Sequence, residues 1–215
     1  MKTIYLVRHG QTNSNLERIV GTGSDPLTEL GKQQAELIAH RLKGNISVEA
    51  MLCSPYMRTR QTAEPIAREL LGREPEYSDL LIESKRPIEI EGLSMSDPLT
   101  LKLNKHAVEN WGVPNGHYST EENFFDLSTR ARRVLNMLSE RPEENILVVT
   151  HGAFMKMIAE VVLLGDKLTA ELSTTIYFSL NLSNTGVTVL TFDSGKWSLV
   201  RWNDTAHLEP GTESE

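Results

Sequence analysis

Thr3-Ile4-Tyr5-Leu6-Val7-Arg8-His9-Gly10 is the stretch on which the fold turns. Thr3 to Val7 is short, apolar and partly β-branched, as expected of a buried strand. Arg8 and His9 follow at once, and Gly10 permits a tight turn and close approach of a ligand to the backbone. The same pattern returns far along the chain, where Asn145 to Thr150 runs into His151-Gly152. Between them, Ala50-Met51-Leu52-Cys53 runs into Ser54-Pro55, with Arg58 one turn on. In sheets of parallel strands, ligands bind beyond the carboxyl ends. Two strand-His-Gly units and a strand ending near an arginine therefore place polar groups together where a ligand site is expected.

Helical periods fill the intervals. Thr28 can cap a helix that continues to Lys43, with Leu30, Ala35, Ile38 and Leu42 on one face and Gly44 stopping it. Ser54-Pro55 is expected to open a second helix, running to about Leu71 with a kink at Pro65 and an end at Gly72. Residues 74–82 read as a short strand and its exit. Residues 84–120, with Pro87, Pro98 and Pro114, read as a surface excursion carrying a helix around Leu99 to Trp111. Phe124, Leu127, Ala131, Val134 and Leu138 mark an amphipathic helix, and Gly152 to Leu164 a packed one.

Thr175 to Leu182, Val187 to Phe192 and Trp197 to Trp202 read as strands, with turns at Ser183-Asn184-Thr185-Gly186 and Asp193-Ser194-Gly195. The fold class is α/β: a three-layer sandwich with a mainly parallel central sheet flanked by helices. Residues 1–202 are expected to form a single domain and residues 203–215 a frayed, flexible tail.

Composition narrows the function classes. The chain has 215 residues, 39% hydrophobic and 24% charged, with net charge −7. That charge argues against nucleic acid as the partner, and it gives arginines beside motifs more weight than arginines on helices. Cys53 is the single cysteine, so neither an intrachain disulfide nor a Cys-based zinc site is available. The apolar run at the N-terminus is too short for a secretory signal, and no stretch approaches the length that spans a bilayer. A cytoplasmic address and no membrane partner are the expectations.

Leu6-Val7-Arg8-His9-Gly10-Gln11-Thr12, followed by Asn15, resembles the signature of the histidine phosphatase superfamily, in its phosphoglycerate mutase-like branch. The likeness continues through Gly21 and Asp25-Pro26-Leu27-Thr28-Glu29-Leu30-Gly31-Lys32-Gln33-Gln34-Ala35. It resumes at Ser54-Pro55-Tyr56-Met57-Arg58-Thr59-Arg60-Gln61-Thr62-Ala63 and again at Val149-Thr150-His151-Gly152. A lone Arg-His-Gly carries little; four blocks in order and at the usual spacing carry much.

The resemblance implies that His9 is a nucleophile forming a phosphohistidine, a role a neutral imidazole can fill. It implies that Arg8, Arg58, Asn15 and His151 cradle the phosphoryl group, whose spreading negative charge calls for fixed donors. Gly21, Thr22, Gly23 and Gly152 are implied substrate-binding positions. A glutamate after the third strand is implied as general acid and then as base for water. Glu83 is the candidate, but Ser84-Lys85-Arg86-Pro87-Ile88-Glu89-Ile90-Glu91-Gly92 departs from the usual pattern by one extra residue, leaving Glu89 and Glu91 as rivals. Glu122 to Leu127, with Arg130, echoes a structural block, with Glu122 a candidate for holding the excursion in place. His40, His106, His117 and His207 lack comparable context and read as surface residues.

No metal and no cofactor are expected, since arginines beside His9 and His151 would repel a cation. The implied activity is metal-independent hydrolysis of a small, anionic phosphomonoester. The alternatives are phosphoglycerate mutase-type phosphoryl transfer and a non-catalytic phospho-ligand-binding domain.

Overall fold

In the computed structural model, which describes residues 1–209, β1 (Lys2–Arg8) lies inside a six-stranded sheet. Its side chains alternate between two cores: Ile4 and Leu6 enter one cluster, while Val7, with Tyr5 beside it, enters the other. β2 (Ala50–Cys53) and β4 (Asn145–Thr150) divide in the same way, Leu52, Ile146 and Val148 facing one side and Met51, Cys53, Leu147 and Val149 the other. Burial on both faces is why these strands read as unbroken apolar runs rather than as alternating ones.

The sheet order is β3-β2-β4-β1-β5-β6, with β3 being Glu76–Tyr77, β5 Val187–Asp193 and β6 Lys196–Asp204. β3, β2, β4 and β1 are mutually parallel; β5 runs antiparallel to β1, and β6 to β5. One face is covered by α5 (Phe124–Glu140) and α6 (Gly152–Leu164), the other by α2 (Glu29–Leu42) and α3 (Met57–Leu70). The sheet is thus mixed, a parallel block extended by an antiparallel hairpin, with helices on both faces.

The helix boundaries follow local chemistry. Thr28 caps α2, its hydroxyl accepting from Gly31 N–H at 3.0 Å. Gly31 must lack a side chain, because a Cβ there would run into the Gln11 carbonyl, and one at Gly10 would lie 2.5 Å from the Gly31 oxygen. This contact seats the start of α2 against the turn that follows β1. α5 opens on a capping box between Asn123 and Asp126. The excursion after β3 holds single 3-10 turns at Asp79–Leu81 and Ile88–Ile90 and then α4 (Pro98–Glu109).

Several expectations change. α3 begins at Met57 with Tyr56 at its cap position, not at Ser54, though it runs through Pro65 to Leu70 much as expected. Residues 175–182 do not form a strand; α7 (Ala170–Ser179) occupies most of them. The β-branched run invited the strand reading, but Thr169 caps the segment, its hydroxyl accepting from Leu172 N–H at 3.3 Å. Inside α7, the hydroxyls of Thr174, Thr175 and Ser179 donate to carbonyls one turn back at 3.0, 3.1 and 2.8 Å. The helix α1 (Asn13–Glu17) had no sequence signal strong enough to be assigned.

Of the stretch expected to fray, residues 203 and 204 complete β6, Asp204 pairs with Arg41 through two contacts of 2.8 Å, and Leu208 is buried. Residues 210–215 lie outside the described residues. His207 is not a plain surface residue: it hydrogen-bonds the Thr185 hydroxyl at 2.9 Å, and burial, helped by Arg41, pushes its pKa down to about 4. His106 is half-buried against Tyr118, His117 pairs with Asp126 at 2.6 Å, and His40 is exposed.

Candidate active site

Because β2, β4 and β1 are adjacent and parallel, their carboxyl ends deliver Ser54, His151 and His9 side by side. The two histidine rings meet edge to face, 5.2 Å between centroids. His9 is fixed through its backbone: its N–H donates to Thr150 O at 3.0 Å, and its carbonyl accepts from the Asn184 side chain at 2.9 Å. Thr185 N–H reaches the Arg8 carbonyl at 3.1 Å. Asn184 and Thr185, both fully buried, were hidden in sequence by their resemblance to an ordinary surface turn before β5. The one available signal was the polar run Ser183-Asn184-Thr185 between apolar Leu182 and the apolar start of β5 at Val187.

The imidazole of His9 is buried, and its Nδ1 lies 2.8 Å from the Gly10 carbonyl. A carbonyl only accepts, so Nδ1 carries the proton and Nε2 keeps its lone pair. Burial first, then Arg58 and Arg8, hold the His9 pKa well below its ordinary value, so the ring is neutral. His151 is held down likewise, by burial and then chiefly by Arg58. Its Nε2 lies 2.8 Å from the Ser54 hydroxyl, and its Nδ1 is buried with no hydrogen-bond partner among the described residues. An unpaired buried polar atom costs about 1–3 kcal/mol. Ser54 lies two residues before the Tyr56 cap position, and no side chain caps α3.

Arg8 and Arg58 are buried beside His9. Arg8 Nη1 donates to the Leu182 carbonyl, and Arg58 Nη1 donates to the Thr22 carbonyl at 2.6 Å with its guanidinium 5.1 Å from the Tyr56 ring centre. The Asn15 oxygen accepts from the Thr12 N–H at 3.1 Å and the Thr12 hydroxyl at 3.0 Å, which leaves its amide N–H groups to a ligand. A cleft of about 440 Å³ opens over these residues, walled also by Gly21, Gly23 and Tyr56. Gly23 has no room for a side chain larger than hydrogen without pressing the Tyr56 ring, 3.2 Å from the Cβ position.

Thr22 stands behind the wall of this cleft, and Gly152 borders a second pocket beyond Glu83 rather than this one. Thr22 gives its N–H and hydroxyl to Asp25 at 2.8 and 2.9 Å and its carbonyl to Arg58. Gly152 leaves room for Arg8, whose Nε lies 3.2 Å from the Cβ position. Both position the arginines.

Of the three carboxylates, Glu83 and Glu91 border the cleft. Glu83 is held at the N-terminus of α6, accepting from Phe154 N–H at 3.0 Å, Ala153 N–H at 3.3 Å and Ser84 N–H at 2.8 Å. Glu91 is exposed, and Glu89 accepts from the Ser119 hydroxyl at 2.6 Å on the outer side.

Arg130 sets the Glu83 segment in place. Its guanidinium pairs with Glu122 through contacts of 2.7 and 2.6 Å and donates to the carbonyls of Leu80, Ile82 and Glu83 at 3.0, 2.7 and 3.3 Å. Glu122 in turn accepts from Lys85 N–H at 3.0 Å, so it does hold the excursion. We expect Arg130→Ala to cost about 3 kcal/mol, because it strands a buried carboxylate and three carbonyls. Arg130→Lys should recover little, lacking the planar fork. Chemical denaturation checks this, and an unchanged midpoint would contradict it. Among the described residues, no group of three or more His, Cys, Asp or Glu side chains is disposed to hold a metal ion.

Comparison with known proteins agrees with this geometry. The chain is 30% identical to a probable phosphoglycerate mutase GpmB of Yersinia pestis, over 97% of this chain and 96% of that one. A second such protein, from Proteus mirabilis, is 29% identical over 97% of this chain and 95% of its own. Among solved structures, a phosphoserine phosphatase of Entamoeba histolytica in complex with phosphoserine superposes with a TM-score of 0.77, at 28% identity, covering 97% of this chain and 100% of that one. The sequence pattern described as histidine phosphatase superfamily (branch 1) matches residues 4–205, and the chain belongs to that superfamily.

Proposed function

We propose that the protein is a metal-independent phosphatase that hydrolyses small phosphomonoesters through a phosphohistidine on His9. The observation that carries this reading is the tautomer lock at His9: a neutral buried ring with its Nε2 lone pair free, beside two arginines. In the first step Nε2 attacks phosphorus, the N–P bond forms, and the P–O bond to the organic group breaks. Glu83 gives its proton to the departing oxygen. Water then attacks the phosphohistidine, passing a proton to Glu83, and orthophosphate leaves with His9 restored. Arg8, Arg58, Asn15 and His151 take up the equatorial oxygens, whose charge grows in the transition state. Arginine supplies the positive charge here, and it would repel a cation from the same place. A cytoplasmic setting suits the lone, buried thiol of Cys53.

A mutase is the second reading, favoured by the names of the curated relatives. It differs only in the final acceptor. Purified protein with a phosphomonoester and excess chelator should release stoichiometric orthophosphate. Loss of activity on chelation, or return of the phosphoryl group to a second hydroxyl of the substrate without orthophosphate release, would overturn the phosphatase reading.

Vanadate offers a further check, since it can adopt five-coordinate geometry at phosphorus-binding sites. It should compete with substrate, and Arg58→Ala should weaken its inhibition by about 10²-fold alongside a similar loss in kcat. Inhibition unchanged in that variant would put the oxyanion cradle elsewhere.

A further inference from the structure

Beyond Glu83 the phosphoryl cleft opens into a second pocket of about 580 Å³. Arg8, Glu83 and the start of the excursion, Ser84 to Arg86, border both spaces. This placement bears on the substrate, and rests on the phosphatase reading above. In an in-line displacement the organic group departs opposite the attacking Nε2, and the acid must stand at the departing oxygen. The organic group therefore departs on the Glu83 side of the phosphoryl site, the side the second pocket adjoins. The volume is in the range that encloses a whole small organic molecule, about 300–1,000 Å³.

The lining is amphipathic. Val108, Trp111 and Met157 supply apolar wall, while Glu160, Ser173 and Lys156 make a polar end. Glu160 is fully buried, and burial raises its pKa to about 7. One of its oxygens accepts from the Ser173 hydroxyl at 2.6 Å; the other is buried with no partner among the described residues. No role in phosphoryl transfer uses this group, and a buried polar atom left unsatisfied in a pocket is what a ligand's polar atom would complete. Lys156, close enough to lower the Glu160 pKa, donates to the Tyr177 carbonyl at 2.9 Å across the Tyr177 ring. Glu160 repels a ligand carboxylate and attracts an ammonium while Lys156 does the reverse, so the pair favours neither charge; a hydroxyl can donate to the unpartnered Glu160 oxygen without the cost of stripping water from a charge.

We propose that this pocket is the leaving-group subsite, and that it takes an alcohol with an apolar body and an uncharged hydroxyl at its far end, bound by Glu160. A second charged group on the organic part is selected against.

A series of synthetic esters tests this: ethyl, hexyl, 6-hydroxyhexyl, 6-aminohexyl and 5-carboxypentyl phosphate, which have leaving alcohols of similar basicity. Wild-type kcat/KM should rise on the order of a hundredfold from ethyl to hexyl phosphate through burial of the added methylenes. The hydroxyl should add to the hexyl value by about tenfold, and the two charged ends should fall below it. Glu160→Leu should erase the hydroxyl advantage, bringing 6-hydroxyhexyl phosphate down to the hexyl value. Ala107→Phe, which fills the pocket from α4, should cut the long esters to the level of ethyl phosphate. A flat length series, a preference for the carboxylate or ammonium end, or a hydroxyl advantage that survives Glu160→Leu would overturn the proposal. If ethyl phosphate and p-nitrophenyl phosphate both resist hydrolysis, the phosphatase reading fails instead. Calorimetric binding of the same esters to the His9→Ala protein then reads the pocket directly, with the same order of affinities required.

Discussion

Replacing His9 with alanine should abolish orthophosphate release, lowering kcat by about 10⁴-fold or more, as expected when a nucleophile rather than a positioning group is removed. The loss should be chemical and not structural. Among the described residues His9 makes one side-chain hydrogen bond, to its neighbour's carbonyl, and its backbone is held by Thr150 and Asn184 independently of the ring. Far-ultraviolet dichroism and the unfolding midpoint should therefore stay close to those of the parent protein, and vanadate should still bind. Since burial and the two arginines disfavour the charged ring, the acid limb of kcat/KM should lie below the ordinary histidine value of 6.5. Residual activity above about a hundredth of the parent value would mean that another group attacks phosphorus.

The second large effect belongs to Glu83→Gln. For alkyl phosphates, whose alkoxides need a proton as they leave, kcat should fall by about 10²–10⁴-fold. For p-nitrophenyl phosphate the first step needs no acid, so that loss should be much smaller in the pre-steady state. Glutamine keeps one carbonyl oxygen for the Phe154 and Ser84 N–H groups, so the segment should hold its place. The second step lacks a base in this variant. A burst of p-nitrophenolate equal to the enzyme concentration, followed by slow turnover, is the expected trace. Glu91→Gln should show neither effect. If it is Glu91→Gln that discriminates by leaving group, the acid has been assigned to the wrong carboxylate of the two that border the cleft.

The parts of the account that were legible in sequence share a physical origin. β1, β2 and β4 are buried on both faces, so their composition announced them, and parallel pairing then brought His9, Ser54 and His151 together. α7 was misread because Thr174, Thr175 and Ile176 favour strands by propensity, while Thr169 caps a helix there and the hydroxyls are satisfied by carbonyls one turn back. Asn184 and Thr185 looked like a surface turn because buried polar residues differ from exposed ones only in the partners that tertiary structure brings. The surroundings of Glu83 were not legible for the same reason. They depend on the Arg130–Glu122 fork and on the first turn of α6, both distant from Glu83 in sequence. His207 shows the same limit in smaller form, its neighbours Thr185 and Arg41 being far away along the chain.

The central claim is that phosphate is carried on Nε2 of His9. Rapid acid-free quenching of the Glu83→Gln protein with ³²P-labelled p-nitrophenyl phosphate, followed by alkaline peptide mapping, tests it most directly. The account predicts one alkali-stable, acid-labile label on the peptide containing His9, approaching one phosphate per chain and absent from the His9→Ala protein. Label on His151, Ser54 or Thr12, or a full single turnover with no labelled protein at any time, would contradict it.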